Sequence, residues 1–401
     1  MKKKANLFIQ AKIGATLILI VLLSFKLHSQ APLEKTDSVS ENSNNTSDSA
    51  TVYFSEGMTK NQSREFTQAV VLFTKALKFS PNTAAFYLNR AHAKNQLLDY
   101  KAALADYTHA LICSKNWEEA YEAYYNRGLV EATLEDFRHA MSDFDYAIRL
   151  KPEFADAYFN RSVTKGKLGD YKGELADINK VIALTPNDSK AYNCRGIVKS
   201  LMRNYTEAID DYSLAIQYNQ SNADAYFNRA VVLVEMKEYE GAEDDFTKAL
   251  QLKPDAETYN RRANLKYEIN DFHGAYDDYR MAIQLQPNYY LAYLNLGYLM
   301  YTLKEYREAI KIYTLALNLK PDYALAFYNR GIAKGKLGDR KGEIEDYTWA
   351  IEYKPDDEKV YTSRGLARYI SGDKKGGCQD LNTAVKLGSI LAYDNIAEYC
   401  R

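Results

Sequence analysis

Eight arginines each precede an aspartate by sixteen residues: Arg90 and Asp106, Arg127 and Asp143, Arg161 and Asp177, Arg195 and Asp211, Arg229 and Asp245, Arg262 and Asp278, Arg330 and Asp346, Arg364 and Asp380. A guanidinium facing a carboxylate forms a charge-assisted, bidentate ion pair, and the same groups could serve catalysis. The series itself decides between the two. Where Leu296 stands in the arginine's place, Ile312 stands in the aspartate's, so both members turn apolar together. A buried pair can be exchanged for packed apolar residues at little net cost, whereas losing one partner strands a charge at about 3–5 kcal/mol. The pairs are therefore read as architectural contacts between helices.

Other chemistry-bearing residues form no constellation. The five histidines (His28, His92, His109, His139, His273) are scattered, with no H-E-x-x-H or cysteine-spaced set for a metal. No G-x-S-x-G marks a nucleophile. K-G-K-L-G-D occurs twice, from Lys165 to Asp170 and from Lys334 to Asp339, each followed by K-G-E ending at Glu174 or Glu343. Its glycines fall inside a helical register and no Walker lysine-serine pair follows, so a phosphate loop is rejected. Lys165 and Lys334 are instead placed to neutralise those glutamates. No catalytic, cofactor-binding or metal site is expected, and an enzyme is not.

The elements that position the pairs repeat. Taking the arginine as an anchor, successive copies sit at Glu56, Arg90, Arg127, Arg161, Arg195, Arg229, Arg262, Leu296, Arg330 and Arg364, mostly 34 residues apart. An aromatic precedes each anchor by three residues, and Gly, Ala or Ser follows it directly, leaving room for a neighbouring helix. Nine residues on stands an acid or Asn suited to the N-cap of a second helix. Seven of the eight prolines fall 25 residues after an anchor, where they stop one helix before the next begins. The expected fold is all-α: ten helical hairpins over residues 51–389.

The period and the Y-x-N-R-G string, as in Tyr158 to Ser162 with Ser in the last place, resemble the tetratricopeptide repeat family, with Arg where Leu is common at the anchor. The resemblance implies a right-handed α-solenoid whose first helices line a concave face. It also implies that the asparagines before the anchors, Asn89, Asn126, Asn160, Asn228, Asn295 and Asn329, form an inward ladder. Amides carry donors and an acceptor, so such a ladder can hold an extended peptide backbone or brace the scaffold's own helices. Tyr125, Phe159, Phe227 and Tyr328, one residue earlier, form a largely apolar row that is either groove or inter-repeat packing. No lysine occupies that row, so the carboxylate clamp of some tetratricopeptide co-chaperones is unsupported.

The ends complete the layout. Lys2 to Lys4 and Lys12 precede an apolar run from Ile13 to Phe25, the order of a secretory signal. Thirteen helical residues rise about 20 Å against a hydrocarbon core of roughly 30 Å, too short for a comfortable span. Cleavage near Ser29 gives an exported, periplasmic or secreted chain with no membrane span; the alternative is tethering by an uncleaved anchor. Residues 30–50 are Ser/Asn-rich and read as a disordered linker. Residues 390–401 read as a closing helix, and a turn at Gly388 and Ser389 sets Cys378 level with Cys400, for which a disulfide is expected. The formal charge of −1 falls to −6 without the five leader lysines, which argues against nucleic acid as the main partner. The expected function is a noncatalytic scaffold for a protein or peptide; the alternative is an envelope enzyme subunit whose repeats position a substrate.

Overall fold

The computed structural model describes residues 44–400, so the leader and residues 30–43 of the tether lie outside the described residues. From Asn44 the chain is helical, and residues 44–50, expected in the linker, form the start of α1; Ala50 is buried beside Leu77 and Phe86. Every described element is a helix. The chain divides after Gln220 into two compact units.

The first unit holds five hairpins: α1 (Asn44–Gln62) with α2 (Phe66–Phe79), α3 (Ala84–Gln96) with α4 (Tyr100–Cys113), α5 (Trp117–Thr133) with α6 (Phe137–Leu150), α7 (Ala155–Lys167) with α8 (Tyr171–Leu184), and α9 (Ser189–Leu201) with α10 (Tyr205–Tyr218). The second unit holds five more: α11 (Ala223–Met236) with α12 (Tyr239–Leu252), α13 (Ala256–Glu268) with α14 (Phe272–Leu285), α15 (Tyr290–Thr302) with α16 (Tyr306–Leu319), α17 (Ala324–Lys336) with α18 (Arg340–Tyr353), and α19 (Glu358–Ile370) with α20 (Lys374–Lys386). The short α21 (Ile390–Tyr399) follows, and Cys400 just beyond it forms a disulfide with Cys378 of α20, Cα to Cα 5.7 Å.

Each hairpin closes over one large side chain, seventeen residues after the anchor. Phe73, Tyr107, Phe144, Ile178, Tyr212, Phe246, Tyr279, Tyr313, Tyr347 and Leu381 fill this place, all buried. The small residue after the anchor makes the room: a Cβ on Gly57 or Gly297 would come within 2.6 Å of the Phe73 or Tyr313 ring. Prolines such as Pro81 and Pro321 stand two residues past the second helices that they end. Asp99, Asp136, Asp170, Asp271, Asp339 and Asp373 cap their second helices by accepting a backbone N–H. Asn204 and the glutamates at this position make no such bond: in their copies the side chain does not take up the capping geometry.

The turn inside every hairpin needs one left-handed residue, eight after the anchor. Glycine fills it only as Gly169, Gly338 and Gly372, with φ of 80°, 83° and 94°; Arg64, Leu98, Glu135, Arg203, Lys237, Asn270 and Lys304 adopt it without that freedom, φ 61–68°.

Candidate functional site

The anchor guanidiniums decide which acids remain for other work. In all eight copies Nε and Nη2 donate to the two oxygens of the aspartate at 2.6–2.9 Å. The guanidinium also lies over the aromatic three residues earlier, 5.3–5.9 Å from its centroid, adding a cation–π contact.

Two further columns join this pair. Four residues after the anchor, Lys94, Lys165, Lys199, Lys266, Lys334 and Arg368 reach the same aspartates at 2.7–3.0 Å. The remaining arm, Nη1, donates to the previous second helix, onto Thr74, Thr108, Asp145, Asn179, Thr247, Thr314 and Thr348 at 2.6–3.2 Å. The copy anchored by Leu296 changes at every column. Met300 replaces the lysine, Ile312 the aspartate, and all three pack in one apolar cluster. Arg280 replaces the acceptor on the previous helix and lies 5.7 Å from the Tyr276 ring. All four substitutions stand in the sequence, where the lysine and acceptor columns change along with the Arg–Asp pair.

The lysines of the K-G-K-L-G-D strings thus pair with Asp177 and Asp346, not with Glu174 and Glu343 as expected. Arg340 instead holds Glu343 at 2.6 Å. Glu174 has Tyr171 where Glu343 has Arg340, and its carboxyl rests on Gly166, where a Cβ would come within 2.5 Å of it. Burial raises Glu174 to about 7. Glu131 occupies the lysine column of the Arg127 copy; burial, and then the charge of Asp143, raises it to about 7.

The ladder and its row lie on the first helices. Asn89 and Asn126 each donate one amide N–H to the carbonyl four residues earlier, at 2.8 and 3.0 Å. Asn160 donates to Asp156 O and to the Tyr125 hydroxyl, 2.9 and 3.0 Å. Asn295 donates to Asn260 at 3.0 Å, and Tyr328 meets Ser363 at 3.4 Å. These last contacts share one geometry: the row residue of one copy bonds the ladder residue of the next, 35 positions on. Asn160 and Asn295 therefore brace neighbouring copies with their N–H groups, Asn89 and Asn126 donate within their own helices, and the side-chain carbonyls of Asn89, Asn126 and Asn160 accept no bond among the described residues.

Three members leave the expected set. Phe227 is buried edge-on against Phe246, 5.9 Å between ring centres, and Asn228 and Asn329 are buried too, so all three belong to the scaffold's packing. Tyr125 is half-buried, its ring 4.6 Å from Phe154, and burial raises its phenol well above the ordinary value. Phe159 and Tyr328 are also half-buried. Sequence reasoning missed a tyrosine cluster on α13 and α15, where Tyr267 lies 5.5 Å from Tyr298 and its hydroxyl 2.9 Å from Thr302 Oγ1. Its signal was in columns two and five residues after the anchor. Among the described residues no cluster of three metal-ligating side chains occurs, and no helix is long and apolar enough to cross a membrane.

Family models described as tetratricopeptide repeat match residues 121–154, 155–188, 223–255 and 260–324, and one described as TPR repeat matches 204–237. No curated protein matches the chain. Among solved structures, a tetratricopeptide repeat protein from Parabacteroides merdae ATCC 43184 is 19% identical, covering 63% of this chain and 99% of its own, with a TM-score of 0.50. YrrB, described as a TPR protein with an unusual peptide-binding site, is 26% identical over 46% of this chain and 94% of its own, TM-score 0.40. The APC/C hetero-tetramer Cut9-Hcn1 aligns over 88% of this chain and 90% of its own at 15% identity, TM-score 0.45. At such identity the Parabacteroides likeness is one of fold.

Proposed function

The chain is a tetratricopeptide repeat protein, and from that premise we propose that it is a noncatalytic scaffold holding an extended peptide, or an extended segment of a partner protein, on the face lined by its first helices. The observation that carries this reading is the state of the ladder. Asn89, Asn126 and Asn160 are fixed in place by their own N–H bonds and keep a carbonyl oxygen for an incoming backbone N–H. A backbone is common to every peptide, so these contacts bind without selecting sequence. The half-buried rings of Tyr125 and Phe159 beside them supply apolar surface that selects side chains.

The test is selection of binders from a library of unstructured peptides against the purified chain, followed by the triple variant Asn89→Ala, Asn126→Ala, Asn160→Ala. Each lost hydrogen bond is worth about 0.5–1.5 kcal/mol, so the selected peptides are expected to lose at least about tenfold in affinity while circular dichroism is unchanged. Peptides that bind the triple variant as well as the parent, or that the chain alone cleaves or modifies, sink the proposal.

The same scaffold is proposed to work outside the cytoplasm. The lysine-flanked apolar run of residues 13–25 is the support, with cleavage near Ser29. Mass spectrometry of the mature protein should place its first residue at or near Gln30; an intact leader would mean a membrane-tethered form.

A further inference from the structure

We propose that the Cys378–Cys400 disulfide is a site of thiol–disulfide exchange, selective for small anionic thiols, in which Cys400 becomes a mixed disulfide and Cys378 is released as a thiolate.

The bridge lies open to such a reagent. Both of its cysteines are half-buried and line a cavity of about 520 Å³, a size that admits a small molecule. Lys374 and Lys375, both exposed, line the same cavity. No carboxylate of the lining neutralises them: beyond the lysines and the bridge it consists of Tyr369, Tyr399 and two amide side chains. Lys374 lies over the Tyr369 ring, 5.6 Å from its centroid, which leaves its charge uncompensated. Positive charge of this kind concentrates anions and repels cations, so the charge of an incoming thiol decides how often it reaches the bridge.

The same lysines settle which sulfur is attacked. They stand four and three residues before Cys378 on α20, and therefore share its face of the helix. Nearby ammonium groups favour a thiolate over a thiol, which makes Cys378 the better leaving group and directs attack to Cys400. The incoming thiolate places its electron pair on Cys400 Sγ, the bond between the two Sγ atoms breaks, and its pair departs on Cys378. One thiolate is consumed and one is formed, so no further oxidant, reductant or proton enters.

The structure also gives Cys400 room to leave. Ala392 is the fully buried residue of α21, and the last turn of that helix is tied to the preceding hairpin by the bridge and by Tyr399, whose ring centre lies 5.1 Å from that of Tyr369. Once the bridge opens, partial packing alone holds that turn. Cys400 can then move off before Cys378 returns to reverse the step.

The experiment uses the full chain with its disulfide intact, in low-salt buffer under nitrogen. Three thiols are compared: 2-mercaptoethanesulfonate, 2-mercaptoethanol and cysteamine, respectively anionic, neutral and cationic. Samples are quenched in acid, alkylated and mapped by mass spectrometry, and initial rates are expressed per thiolate. Cys113 and Cys194 are free thiols and add no thiol without an oxidant. The sulfonate is expected to open the bridge at least about threefold faster than cysteamine, with 2-mercaptoethanol between them and the adduct on Cys400. Lys374→Gln combined with Lys375→Gln should at least halve that ratio with helix content unchanged, and about 1 M KCl should do the same to the parent, which needs no variant to fold. A smaller ratio in the parent, a ratio that survives the double substitution or the salt, an adduct on Cys378, or a bridge that none of the three opens would each overturn the proposal.

Discussion

An aspartate in this protein is rarely held by one cation alone. Asp278 is gripped by Arg262 and also by Lys266 at 3.0 Å, whereas Asp245 has Arg229 and, in the lysine column, Leu233. The two copies should respond differently to the same lesion. Arg229→Leu strands Asp245 and is expected to cost about 3–5 kcal/mol; Arg262→Leu should cost less, because Lys266 remains. Adding Asp245→Ile to Arg229→Leu restores the apolar version that Leu296 and Ile312 already use, and should recover most of the loss. Urea denaturation of the parent and the three variants checks this ordering, and equal midpoints for the single and double Arg229 variants would contradict it. Glu131 supplies the converse case, an acid where six copies have a cation. Its carboxyl lies near Asp143 and Asp136, with Arg127 and His139 as the opposing charges. Its folded pKa of about 7 stands above the ordinary 4.5. The native state therefore binds more protons than the unfolded state between those values, and stability falls as pH rises through that window. Glu131→Lys should stabilise the protein by about 1 kcal/mol at pH 8 and flatten the stability profile between pH 4.5 and 7, leaving the slope contributed by Glu174. Melting temperatures from pH 4.5 to 8 read both effects.

At the scale of the element, the hairpin turn carries a cost that the helices outweigh. Seven of ten turns place a side chain in left-handed conformation, Leu98 among them, with φ 61° and 68% of its surface exposed. Leu98 makes little use of its side chain, and left-handed backbone costs an L-residue about 1–2 kcal/mol. Glycine's extra unfolded-state freedom offsets part of that. Leu98→Gly is thus expected to raise stability by up to about 1 kcal/mol, measurable as a higher urea midpoint; a lower midpoint would show that the leucine contributes contacts from its exposed position. The sequence showed where each turn lies, because an acid opens the second helix there. It did not show the turn's handedness, since seven unrelated side chains accept it and leave no pattern to read.

Over the whole molecule, hairpins within each of the two units pack on their neighbours in sequence, so stability is a sum of local terms and interfaces rather than one cooperative core. A lesion such as Arg229→Leu should accordingly broaden the unfolding curve into more than one step, where a single globular domain would shift intact. The same one-dimensional construction explains how much was legible beforehand. Period, helix limits and the small residue after the anchor follow from interactions repeated ten times along the chain, and the pairing of Arg with Asp from one repeated eight times, so the sequence by itself determined the all-helical hairpin array. The tertiary structure decided what depends on which partner a side chain meets. It sent Lys165 to Asp177 instead of Glu174, and buried Phe227, Asn228 and Asn329 while leaving the Asn89 carbonyl open. Those outcomes turn on competition among neighbours within a few ångströms, which spacing along a chain does not encode.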